Sequence, residues 1–153
     1  MQYLKTKEEL FKENITHTGE DLKGFPHVFD QFGTGRTSSW RRSKKAGFEI
    51  RTFAAVAGRG GLMNPIPGGT YTVNSRMVED LRGAIHGEHP SNLGAVLAKE
   101  IGDEIGASSF VVDPVSVDEL MPKVRISGIS DLERPSWFHA LNHKAVARWA
   151  AER

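Results

Sequence analysis

The chain has 153 residues, with 20 Lys and Arg against 19 Asp and Glu, no Cys, and 39% hydrophobic residues. A chain of that length buries roughly 70% of its unfolded surface, so a single domain folds without metal or disulfides, and the lack of cysteine excludes a thiol nucleophile and a thiolate zinc site. A net charge of +1 argues against bulk attraction to nucleic acid or to an anionic membrane. No apolar run approaches the roughly 20 residues of a spanning helix, and the start MQYLKTKEELFKEN lacks the apolar core of a signal peptide, so the expected location is cytoplasmic.

Met1 to Leu4 reads as a short strand, and residues 10–18, LFKENITHT, alternate as its half-exposed partner. From Glu20 to Phe32 the three- and four-residue spacing of Leu22, Phe25, Val28, Phe29 and Phe32 predicts a helix, with Pro26 in its first turn. Residues 33–45, GTGRTSSWRRSKK, read as a loop followed by a short helix. FAAVA at 53–57 has the continuous apolar run of a buried parallel strand, and the loop GRGGLMNPIPGG follows it. Asn74 can cap a helix from Ser75 to about Ile85, and Ser91 opens a second one that Gly106 closes. SSFVV, ended by Asp113 and a proline, is the next strand, and Trp137, Leu141, Ala145 and Trp149 predict a last helix over 135–153. Alternating strands and helices define an α/β or α+β chain, taken as one domain over 1–153.

Arg59 and Asp113 each follow an apolar strand, and ligands of parallel sheets bind beyond the carboxyl ends of strands, so both point to one crevice. Arg59 offers a planar fork of donors for carboxylate or phosphate, and Gly58, Gly60 and Gly61 would let a ligand approach the backbone. The competing reading pairs Arg59 with a structural carboxylate and gives the glycines to a turn. GRGG has the spacing of neither familiar phosphate loop. His86 and His89, in HGEH, could hold a metal with Asp113, which would make a metal-dependent hydrolase, although Gly87 and Pro90 oppose a regular helix there. His89 lies just ahead of a helix start, where the backbone amides favour an anion. His139 and His143, with Asn142, form one polar stripe on the last helix. The cations Arg36, Arg41, Arg42, Lys44 and Lys45 around Trp40 read as a solvated face rather than a nucleic-acid surface.

The segments GRGGLMNPIPGGTYTVN, GEHPSNLGAVLAKEIG, FVVDPVSVDEL and RISGISDLERPSWFHALNHKAVAR resemble the acetate and butyrate kinase family over nearly the whole chain, most weakly over 33–51. The resemblance implies an α/β domain of the acetate and sugar kinase, Hsc70 and actin (ribonuclease H-like) fold. It implies reversible transfer of the ATP γ-phosphoryl to a short-chain carboxylate such as butyrate, with Mg²⁺. By position it gives Arg59 the carboxylate or phosphoryl group, Asp113 the acid near substrate and metal, and His89 and His139 contacts to the phosphoryl group, with Phe138 at the substrate. Gly60 and Gly61 would leave room for a butyryl chain, so that Gly61→Val should harm butyrate more than acetate. The family's opening strand and NPGSTSTK-type loop, and its HLGGG-like loop, do not occur in the sequence. The expectation is therefore a substrate-side part of a kinase that is inactive alone, or a binding module or half of a split enzyme that takes a carboxylate or acyl phosphate. An unpaired sheet edge would then favour self-association.

Overall fold

The computed structural model describes the backbone of residues 2–5, 8–21 and 23–153, so the expectations at Met1 and Leu22 lie outside the described residues, as do the side chains of Arg36 and Trp40. The chain divides into two compact units, Met1–Phe48 and Glu49–Arg153.

In the first unit β1 (Gln2–Lys5) pairs antiparallel with β2 (Glu8–Lys12), Tyr3 opposite Phe11, with a register shift after Tyr3. The strand expected over 10–18 thus ends at Lys12, and residues 13–18 have no regular structure. The helix expected over 20–32 is also displaced. Gly24 at φ +100° and Pro26 break the backbone, and only a 3-10 turn forms at Val28–Gln31, capped by the His27 N–H donating to Asp30 Oδ2 at 2.8 Å. The apolar spacing there was real but could not override the two breakers. The helix α1 (Phe32–Lys45) instead occupies the polar stretch read as a loop and short helix. Arg42, Lys44 and Lys45 in its last turn complement the negative end of the helix dipole, Arg42 pairs with Glu13, and the Phe11 and Phe48 rings meet at 5.6 Å.

The second unit is built on a mixed sheet of order β3-β5-β4. The edge strand β3 (Ala55–Gly58) runs parallel to the central β5 (Ser108–Val112), Ala55 beside Ser108 and Gly58 beside Val111. On the other side β4 (Thr70–Thr72) is antiparallel, Thr70 beside Val112. Three residues carry too little pattern to announce a strand. Ala55 and Ala57 are exposed, so β3 is covered on one face only, and not buried as its apolar run suggested. The helix α2 (Ser75–Arg82) starts at Asn74, whose side chain accepts the Met77 N–H at 2.8 Å. It stops short of Ile85 because Gly83 ends it and Ala84 turns to φ +49°.

The helix α3 (Asn92–Ile105) covers the sheet and ends at Gly106 in the left-handed conformation, φ +75°. It rides close because it presents small residues. A Cβ on Gly94 would lie 1.9 Å from the Arg59 carbonyl oxygen, and one on Gly102 would lie 2.0 Å from Ser109 Oγ. Leu81, Val96, Val111 and Val117 are fully buried around this contact, each contributing about 1.5–3 kcal/mol on burial. The fourth helix, α4 (Ala140–Ala151), is shorter than the expected 135–153, and Trp137 and Trp149 of its supposed apolar stripe are exposed. Ala140 is its buried residue, and ahead of the helix the buried Ser136 hydroxyl donates to the Val117 carbonyl at 2.7 Å. Among the described residues no helix is long and apolar enough to cross a membrane.

Candidate functional site

The carboxyl ends of β3 and β5 lie side by side, because their parallel register brings Gly58 to Val111 and a Cβ on Gly60 would meet Pro114 Cβ at 2.6 Å. Arg59 and Asp113 therefore emerge from neighbouring parallel strands, as the strand pattern implied. Two further segments converge there: the first turn of α3, which touches the Arg59 backbone through Gly94, and the first half of α4, whose Lys144 reaches Asp113.

Arg59 is exposed, and among the described residues its side chain makes no hydrogen bond or ion pair. Among the described residues no carboxylate pairs with it. Asp113 takes φ +39°, an uncommon conformation for a residue with a side chain, and is held there from both sides. Its N–H donates to the Gly69 carbonyl at 2.9 Å, and Oδ1 accepts the Gly69 N–H at 2.8 Å. Lys144 Nζ stands 3.5 Å from the same oxygen and 3.1 Å from the Glu119 carboxylate, which accepts the Gly68 N–H at 2.9 Å.

Lys144 and Glu119 escaped the sequence reading because they meet across 25 residues with no local pattern. Lys144, then the Gly68 amide, holds the Glu119 carboxyl below its usual value of 4.5; Glu119 in turn raises the Lys144 ammonium above 10.5. A depressed carboxylate stabilises above its unfolded value and loses that contribution as pH falls through the folded one; a raised ammonium does so below its unfolded value and loses it as pH rises through the folded one. The tie between α4 and the Gly68 turn is accordingly complete between those limits. Protection of the α4 amides, corrected for intrinsic exchange, is expected to fall as the pH drops below the usual Glu value through the folded one, and Lys144→Met should remove most of that acid response.

Gly60 and Gly61 are buried, and their missing side chains make room for protein instead of a butyryl chain. A Cβ on Gly61 would meet Asn92 Cα and Leu81 Cδ2, each at 2.6 Å. Gly61→Val is thus expected to destabilise the unit by about 1–3 kcal/mol and to weaken butyryl and acetyl phosphate binding alike, contrary to a chain-length filter; unfolding and binding titrations check both. Asn92, fully buried, fixes this loop by accepting the Leu62 N–H at 2.9 Å and donating to the Gly87 carbonyl at 3.0 Å. The buried Ser116 hydroxyl fixes the next turn, 2.8 Å from the Met63 N–H.

His89 is exposed just ahead of α3, with Nδ1 at 2.8 Å from Ser91 Oγ and 3.1 Å from the Ser91 N–H. His139 is the residue before α4, exposed, and its carbonyl accepts the His143 N–H at 3.1 Å. The rings of Phe138 and His143 are 5.6 Å apart. His86 bonds Asn64 at 2.8 Å, so His86, His89 and Asp113 each have separate partners. Among the described residues no three His, Asp or Glu groups converge on a metal position. Asp113 fits a divalent ion only as a single carboxylate, suited to Mg²⁺ that brings its own phosphate and water ligands.

No family model matches the chain. Over 142 residues it is 47% identical to a probable butyrate kinase of Clostridium botulinum, covering 93% of this chain and 40% of that protein. Butyrate kinase 1 of Clostridium acetobutylicum is 46% identical over 142 residues, with the same coverage. The chain is homologous to butyrate kinases. A probable butyrate kinase of Listeria monocytogenes adds 48% identity over 144 residues, 94% of this chain and 40% of the relative. The chain spans about 40% of the length of these curated relatives.

Proposed function

We propose that the chain forms the acyl-substrate side of a butyrate kinase-type phosphotransferase, a domain of the acetate and sugar kinase and actin fold, acting on a short-chain carboxylate and ATP. The observation that supports it is Arg59, a guanidinium with no partner among the described residues, at the carboxyl end of a parallel strand beside that of Asp113, in a chain homologous to butyrate kinases.

In the forward reaction a carboxylate oxygen attacks the γ-phosphorus, the bond to the ADP oxygen breaks, and an acyl phosphate forms. The protein's part in such a transfer is positioning and charge. Arg59 offers two parallel N–H donors to the carboxylate or to the transferred phosphoryl oxygens. His89 and His139 add donors from just ahead of α3 and α4, and Phe138 borders the acyl group. Asp113 orients the far side of the site. Mg²⁺, when bound with the nucleotide, neutralises charge on the phosphoryl oxygens.

The nucleotide side is not carried by these residues. Gly68 and Gly69, whose amides would be the natural phosphate cradle, already donate to Glu119 and Asp113. The chain alone is therefore expected to bind butyryl phosphate but to form none from butyrate, ATP and Mg²⁺. A hydroxamate assay and a thermal-shift titration with butyryl phosphate test both halves. Turnover would assign the nucleotide site to this chain; absence of any shift would discard the substrate-side reading.

A further inference from the structure

We infer that Ser91 is a positioning residue that fixes the tautomer of His89 and so selects the ring nitrogen that meets an anionic oxygen. The inference rests on the substrate-side reading for the identity of that oxygen, but not for the tautomer.

A serine at a helix start ordinarily turns its oxygen onto the N–H groups of the first turn. Ser91 stands at that position of α3, and its side chain makes no such bond. Its hydroxyl lies 2.8 Å from His89 Nδ1, while its own backbone N–H donates to the same nitrogen at 3.1 Å. A backbone N–H can only donate, so Nδ1 must be the unprotonated nitrogen, and the neutral ring carries its proton on Nε2. The hydroxyl then also donates. The chain around the pair is rigid: the Asn92 N–H bonds the His89 carbonyl at 2.9 Å, and the buried Asn92 side chain ties the same turn to Gly87 and Leu62.

His89 therefore presents Nε2–H outward as a fixed donor, at the α3 end that packs on Arg59 through Gly94. An imidazole free to exchange tautomers would offer an acceptor for part of the time, and an acceptor repels a phosphoryl oxygen. Ser91 removes that possibility without touching the ligand.

The test uses the whole chain labelled with ¹⁵N, at a pH where the histidines are neutral, and three versions: unsubstituted, Ser91→Ala and Ser91→Thr. Long-range ¹H–¹⁵N spectra read the His89 tautomer directly. The unsubstituted chain should show the Nε2–H form, and butyryl phosphate should shift that resonance. Ser91→Ala keeps the backbone N–H but loses the shorter hydroxyl bond to Nδ1, so the Nδ1–H share should rise and affinity for butyryl phosphate should fall about tenfold, with the melting temperature little changed because no helix cap is lost; Ser91→Thr should restore both. A dominant Nδ1–H form in the unsubstituted chain overturns the inference, as does an unchanged tautomer and affinity in Ser91→Ala. An Nε2–H form whose resonance ignores butyryl phosphate leaves the tautomer assignment standing and overturns the substrate-side reading instead.

Discussion

Gly94→Ala is expected to destabilise the second unit by about 3 kcal/mol or more. The new Cβ would stand 1.9 Å from the Arg59 carbonyl oxygen and 2.9 Å from its carbon. Both atoms belong to backbone at the end of β3, where no rotamer change can relieve the clash. The reciprocal contact is equally tight, since a Cβ on Gly58 would lie 2.2 Å from the Gly94 oxygen. To accept the methyl group, α3 must lift from the sheet, which uncovers Val96 and Val111 and moves the start of α3 away from the Arg59 backbone. Urea unfolding of Gly94→Ala beside Gly33→Ala is the measurement. Gly33 has nothing within 4 Å of a Cβ and lies in α1, so its replacement should be neutral or stabilising by up to about 1 kcal/mol. Equal behaviour of the two variants would show that α3 does not seat on β3 as described.

Arg59→Ala is expected to act in the opposite manner, on binding and not on folding. The guanidinium is exposed and has no partner among the described residues, so its removal should leave the unfolding midpoint within about 0.5 kcal/mol of the original. Loss of a charge-assisted fork should weaken butyryl phosphate binding by about 100-fold, on the scale of 1.4 kcal/mol per tenfold. Arg59→Lys keeps the charge but not the two parallel donors, and should recover only part of the loss. Calorimetric titration of the three proteins decides it. Retained affinity in Arg59→Ala would return Arg59 to the ordinary surface cations.

The features legible in the sequence were those written in short-range chemistry. Asn74 and Gly106 mark helix ends by side-chain capping and by a left-handed backbone, both local properties, and both stand where the sequence put them. The FAAVA and SSFVV runs gave the two parallel strands and thereby Arg59 and Asp113. What misled was apolar spacing taken without its breakers, as at Phe25 to Phe32, where Gly24 and Pro26 decided the backbone. The helix α1 was hard to see because it has few apolar residues, and its cations support it through the dipole instead. The partners of Asp113 were invisible for another reason. Lys144 lies 31 residues away and Gly69 lies 44 away, and only the completed sheet brings them together. Gly60 and Gly61 looked like space for a ligand because sequence shows a missing side chain but not what fills the gap.

The central claim is that the carboxyl ends of β3 and β5, with the first turns of α3 and α4, form one site for an acyl phosphate. An amide ¹H–¹⁵N titration of the whole chain with butyryl phosphate tests it most directly. Saturable shifts are expected, grouped at Arg59 to Gly61, His89 to Asn92, Asp113 and His139 to Lys144. Shifts confined to the cationic turn of α1 around Arg41 and Lys45, or no shifts at all, would contradict it.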